Sequence, residues 1–117
     1  MTKKIFNLED RTFEFARRAR IFVKQLPRMI ANAEDGKQLI NASGSVGANY
    51  IEANDALSKK DFAMRIKICR KEAKESRYWL RLLETGGNST LEDERESLIR
   101  EAGELASIFG AIITKTQ

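Results

Sequence analysis

The chain contains no histidine, a single cysteine (Cys69), a single proline (Pro27) and a single tryptophan, and only 8% of its 117 residues are aromatic. Without histidine, the usual zinc ligand sets, the Ser-His-Asp and Cys-His nucleophile arrangements and imidazole acid–base chemistry all fall away. One thiol cannot form an internal disulfide, so the core must come from packing alone. At 117 residues with 42% hydrophobic composition, one domain over 1–117 is expected. No apolar run approaches ~18 residues, and the start from Met1 to Phe6 lacks a long apolar stretch. Neither a membrane span nor a leader is predicted, and the expected location is the cytoplasm. No cofactor or metal is expected.

What is present is charge, and it alternates. Residues 1–32 carry a balance of +5, residues 33–58 of −3, residues 59–84 of +5 and residues 85–117 of −3, which together make the net +4. One reading is that neighbouring helices attract through opposite surface charge, worth a few tenths of a kcal/mol per exposed pair. The other is that the two basic segments bind a polyanion.

Four segments show helical periodicity and none shows strand alternation, so the fold class is all-α. In the first, Asn7 is a good N-cap, Glu9 and Asp10 suit the first turn, and Leu8, Thr12, Phe15, Ala19, Phe22 and Leu26 recur at three and four. Pro27 should end this helix. Residues 28–36 read as a connection closing on Asp35 and Gly36, with Asp35 and Gln38 as a capping box. The second helix then carries Leu39, Ala42, Val46, Tyr50, Ala53 and Leu57 on its core face. Ser58, with Asp61 three residues on, opens the third, whose stripe is Phe62, Ile66, Cys69, Ala73, Leu80 and Leu83. Gly86 and Gly87 suit a left-handed C-cap. Ser89 with Glu92, or Thr90 with Asp93, opens the fourth, with Leu91, Leu98, Ala102, Leu105, Phe109 and Ile112 inward. Short connections favour an antiparallel up-down-up-down four-helix bundle.

The residues outside the core stripes carry the functional argument. On helix one, Arg17, Arg20, Lys24 and Arg28 share a side with Phe13 and Ile21 beside them. On helix three, Lys67, Arg70, Lys74, Arg77 and Arg81 step by three and four into one basic stripe, flanked by Lys60, Lys71 and Tyr78. The plain alternative is a solvated face. Scarce acids and interleaved apolar groups favour a phosphate-tracking surface, although no recognised nucleic-acid motif is present.

Helix two has a second smooth strip, Ile40, Gly44, Gly47, Ala48 and Ile51, and helix three a second apolar stripe, Met64, Ile68, Trp79 and Leu82. Two glycines inside a helix cost about 1 kcal/mol each relative to alanine, which close approach by another helix would offset. These strips are the expected oligomer interface, with packing inside one chain as the alternative. A phosphate-cradling loop fits poorly, since no strand precedes the glycines. The polar set Asn49, Glu52, Arg65, Glu72 and Glu75 could do acid–base work or hold a metal. Di-metal bundle sites, however, want Glu-x-x-His repeats. A structural network is expected instead, with Arg65 neutralising the carboxylates and Asn49 satisfying polar groups. No enzymatic activity is predicted.

The segments 45–53 (SVGANYIEA), 58–62 (SKKDF) and 71–80 (KEAKESRYWL) resemble the four-helix-bundle proteins named for the intervening sequences of bacterial 23S ribosomal RNA genes. That family looks related to the accessory variability protein of diversity-generating retroelements. The resemblance spans nearly the whole chain, with Asn49, Glu52, Ala53, Phe62, Glu72, Glu75, Trp79 and Leu80 as its signature positions. It implies a ring-like homopentamer whose basic outer surface meets RNA or a nucleic-acid enzyme, and it implies no catalytic residue. The expected function is an oligomeric RNA- or ribonucleoprotein-binding bundle. The alternative is a scaffold or accessory subunit docking an acidic protein such as a reverse transcriptase.

Overall fold

The computed structural model describes residues 7–116; the segment from Met1 to Phe6, read above as lacking a leader, lies outside them. Four helices account for nearly all of it: α1 (Leu8–Lys24), α2 (Ile30–Asn54), α3 (Lys59–Leu82) and α4 (Ser89–Thr116). Consecutive helices pack on one another and α1 closes against α4, while the diagonal backbones stay apart and α2 and α4 meet through side chains, Tyr50 against Phe109 at 6.0 Å between ring centroids. The core therefore sits inside a ring of four neighbours, and no described helix is long and apolar enough to cross a membrane.

Local chemistry explains most helix ends. The Asn7 carboxamide oxygen accepts from the Asp10 amide at 2.9 Å, and Ser58 Oγ accepts from the Asp61 amide at 3.1 Å. The expected stripes are buried: Phe15, Ala19 and Phe22 from α1, Leu39 and Val46 from α2, Ile66, Cys69 and Leu80 from α3, and Leu98, Leu105 and Phe109 from α4. Buried hydroxyls bond their own helix, with Thr12 Oγ1 donating to Leu8 O at 2.7 Å and Ser76 Oγ to Glu72 O at 2.8 Å. Burial pushes the Cys69 thiol up to about 12, so it stays protonated and serves as a small apolar group.

Several expectations are corrected. Residues 30–36 are helical, so α2 starts at Ile30, and the Asp35–Gln38 capping box does not form because both residues lie mid-helix. Gly36 is a packing glycine, since a Cβ there would meet Val23 Cγ1 at 2.9 Å. Met29 offers no side-chain cap. Two residues into the helix, buried Asn32 donates through Nδ2 to the carbonyls of Pro27 (3.1 Å) and Glu84 (2.9 Å), while its Oδ1 accepts from the Glu84 amide (3.0 Å). This clamp ties the α1–α2 connection to the α3–α4 connection, and Gly86 extends it, because a Cβ there would reach Pro27 Cγ at 2.9 Å.

Leu57 lies in the α2–α3 connection at 96% exposure, outside the core, because α2 ends at Asn54. Gly86 and Gly87 do adopt positive φ (68° and 78°), but in the connection, since α3 has already ended at Leu82 and buried Leu83 is extended. The α4 cap is Asn88, whose Oδ1 accepts from the Leu91 amide at 3.0 Å, in place of Ser89 or Thr90. At the far end of α4, Ile113 is buried and Ile112 only partly so.

Candidate nucleic-acid interface

Two helices carry basic residues at helical spacing, and the structure treats them differently. On α1, Arg11 makes a bidentate pair with Glu101 of α4, through Nε at 2.7 Å and Nη2 at 2.9 Å, and reaches Glu104 at 2.8 Å. These carboxylates, the Glu101 hydrogen bond first, hold the Arg11 guanidinium well above its ordinary range. Arg18 pairs with Glu94 at 3.2 Å and donates to Ser97 Oγ at 2.8 Å. Of the expected α1 stripe, Arg17 is paired with Glu14 of its own helix, and Arg20 donates to Ala16 O at 3.2 Å. Lys24, at the end of α1, and Arg28, in the connection, are exposed.

On α3, Lys67, Arg70, Lys74, Arg77 and Arg81 are all exposed, and among the described residues none of them forms an ion pair. The one α3 pair is Lys71 with Glu75 at 3.9 Å, beside the row. At 1.5 Å rise per residue the row runs roughly 21 Å along one face. Arg70, Lys74 and Arg77 form one wall of a groove of about 250 Å³ whose other wall is Ala102, Gly103, Ala106, Ser107 and Gly110 of α4. A Cβ at Gly103 would meet nothing within 4 Å, and one at Gly110 only Arg70 Nε at 3.9 Å. Each of these mid-helix glycines costs about 1 kcal/mol relative to alanine, and no close approach inside the chain accounts for it. Nothing in the sequence reading singled them out, although two glycines seven apart on one helix were the available signal.

The basic stripes of α1 and α3 do not merge. Arg17 and Arg20 line a different groove, of about 360 Å³ between α1 and α2, together with Phe13, Ala16, Gly44, Gly47 and Ile51. That groove explains the small residues of α2. A Cβ at Gly47 would lie 2.9 Å from Thr12 Oγ1, and at Gly44 3.3 Å from the Arg20 guanidinium. Gly47 thus seats α1 within the same chain, as the intrachain alternative has it, and Gly44 is covered by Arg20.

The other expected interface residues are scattered. Ile51 faces the α1–α2 groove, while Met64 and Leu82 of α3 are exposed at 48% and 45%. Ile40 and Ile68 are half-buried. Trp79 is partly buried against the core, with Tyr78 in edge contact at 5.0 Å between ring centroids. The α2 and α3 strips therefore do not form one surface on the single chain.

The polar set is also rearranged. Arg65 Nη1 donates to Asn49 Oδ1 at 2.9 Å, and Asn49 Nδ2 donates to Ser45 O at 2.9 Å, which links α3 to α2. Arg65 does not neutralise the carboxylates: among the described residues it has no ion pair, and Glu52 is exposed. Burial first, then the neighbouring charge of Glu75, raises the Glu72 carboxyl above its ordinary range, with Lys71 opposing. Among the described residues no three potential metal ligands cluster.

The α1–α4 pairs Arg11–Glu101, Arg11–Glu104 and Arg18–Glu94 are the residues that sequence reasoning passed over individually, although the alternating segment charges pointed at them.

Among solved structures, the chain is similar to a protein of unknown function from the S23 ribosomal protein family of Bacteroides thetaiotaomicron. The two share 31% identity and superpose with a TM-score of 0.77, over 92% of this chain and 98% of that one. No curated protein matches the chain. The model of one protein family matches residues 6–111, which takes in all of the grooves and cation rows described above. On that match the chain belongs to the 23S rRNA-intervening sequence protein family.

Proposed function

We propose that the protein is a non-enzymatic RNA-binding bundle whose principal contact surface is the α3 cation row. The observation that carries this reading is the contrast in pairing: α1 spends Arg11, Arg17 and Arg18 on carboxylates, while the five α3 cations face solvent without one. Leaving five like charges at three- and four-residue spacing costs repulsion, which an RNA phosphate backbone would relieve while releasing its counterions. The S23 ribosomal protein family to which the similar protein is assigned, and the family description of this chain, both point toward ribosomal RNA. Lys24 and Arg28 would extend the contact at the far end of α1.

The topology we infer is antiparallel up-down-up-down, supported by short connections and by the Asn32 clamp between the first and third of them. We also propose self-association into a ring, a homopentamer in the cytoplasm, through the exposed apolar residues Met64 and Leu82 together with the half-buried Ile68 and Trp79. A scaffold reading, in which an acidic protein is the partner, draws on the apolar α1–α2 groove, where Phe13 is 68% exposed beside Arg17 and Arg20.

The test is RNA affinity across a salt series for the parent and for two variants. Lys67→Gln/Lys74→Gln/Arg81→Gln should remain folded, bind at least about tenfold more weakly and flatten the log–log salt slope by about 2. Arg17→Gln/Arg20→Gln/Lys24→Gln should change affinity by less than about threefold, because Arg17 is already paired with Glu14 and the α1 cations stand apart from the α3 row. Unchanged binding by the α3 variant sinks the proposal, and capture of an acidic protein with no RNA binding by the parent favours the scaffold. Light scattering that returns only a 13.3 kDa particle rejects self-association.

A further inference from the structure

The α3 row has a shape as well as a charge. Its middle members, Arg70, Lys74 and Arg77, lie along a groove whose opposite wall on α4 has no side chain at Gly103 or Gly110. The groove encloses about 250 Å³, room for a short stretch of one backbone strand and not for a duplex. The row is also straight over roughly 21 Å, whereas each strand of a duplex winds away around its axis. Single-strand binders elsewhere pair a cationic groove that follows the backbone with aromatic side chains for the bases. Here the aromatic at hand is Tyr78, 56% exposed, which does not line the groove but flanks the row on its other side, next to Arg77 and one turn from Lys74 and Arg81, with its ring edge-on to Trp79.

Resting on the RNA reading above, we infer that the α3–α4 groove is a track for a single-stranded RNA backbone. Arg70, Lys74 and Arg77 neutralise its phosphates, Gly103 and Gly110 leave room for its sugars, and Tyr78 stacks a base turned outward across the cation row. Recognition of this kind follows the backbone and is tolerant of sequence.

The experiment measures binding of a labelled 12-nucleotide oligouridylate and of a 12-base-pair RNA duplex at fixed salt, with melting temperature and sedimentation mass recorded for every variant. Gly103→Leu/Gly110→Leu should fold at least as well as the parent, because a Cβ at Gly103 meets nothing within 4 Å, one at Gly110 meets only the Arg70 side chain at 3.9 Å, and leucine favours helix. Its oligouridylate affinity should drop by tenfold or more at unchanged mass, while Gly103→Ala/Gly110→Ala stays within about threefold of the parent. Tyr78→Ala should lose roughly fivefold or more. A folded leucine variant that binds like the parent overturns the groove. If Lys67→Gln/Lys74→Gln/Arg81→Gln still loses binding in that case, the RNA reading stands without it. Tighter binding to the duplex overturns the single-strand assignment. A changed mass in the leucine variant reassigns the groove to self-association, and no salt-sensitive binding by the parent removes both readings.

Discussion

Helices α1 and α3 carry the same sequence signature, cations at three- and four-residue spacing opposite an apolar core stripe, and they end in different electrostatic states. Helix α1 faces the acidic α4 across the smallest seam of the bundle and is moored there by Arg11 to Glu101 and Glu104 and by Arg18 to Glu94. Its other side packs on α2, where Gly47 admits Thr12 and Gly36 admits Val23. Helix α3 has α2 and α4 on either side as well, yet its basic row meets mainly the small-residue stretch of α4, and the one α4 acid that shares a groove with it, Glu104 beside Arg77, is already paired with Arg11. Charge of one sign on a helix thus says little about function until the neighbour's register is known. On α1, Arg11 and Arg18 hold the fold and Lys24 stays exposed; on α3 the whole row remains available.

The largest effect expected from disturbing this arrangement is at the seat of α1. Gly47→Leu forces side-chain atoms into Thr12 and its backbone, at a cost of about 2–3 kcal/mol, read as a lower denaturation midpoint with the same slope. An unchanged midpoint would show that α1 can shift freely, and the contrast between a moored helix and an open one would fail.

Next is the mooring itself. Arg11→Gln should cost about 1–2 kcal/mol, since the pair is bidentate and only 30% and 19% exposed on its two sides. Because the pair is ionic, the difference between variant and parent should narrow between low and high salt. RNA affinity per folded molecule should not change. A loss of affinity without loss of stability would move Arg11 into the binding surface.

The smallest effect distinguishes the two halves of α3. Glu72 lies away from the basic row, and its folded-state pKa is raised by burial and by Glu75. A raised carboxyl pKa means that the folded chain holds the proton more tightly than the unfolded one. The charged form therefore destabilises the fold above the folded-state pKa, and this penalty fades as pH falls through it toward the unfolded value. Glu72→Gln should melt slightly higher than the parent at pH 7 and at the same temperature near pH 3, once the unfolded-state pKa has also been passed. An equal gain at both pH values would attribute the effect to packing.

How much of this was legible beforehand depends on the range of the interaction. The existence of four helices, their core faces and the caps at Asn7 and Ser58 follow from periodicity and from bonds spanning three residues, which any reader of the sequence can follow. The basic row of α3 and its spacing were equally visible. The start of α2 was not, because Gly36 looks like a breaker until Val23 is placed against it, and Asn32 looks like a loop residue until its partner Glu84 arrives from 52 positions away. Nor could spacing say which arginines would be neutralised: Arg11 and Glu101 stand 90 residues apart, and only helix register brings them within 2.7 Å. Local sequence determined what each helix is; tertiary packing decided which charges and glycines were used up inside the chain and which were left facing outward.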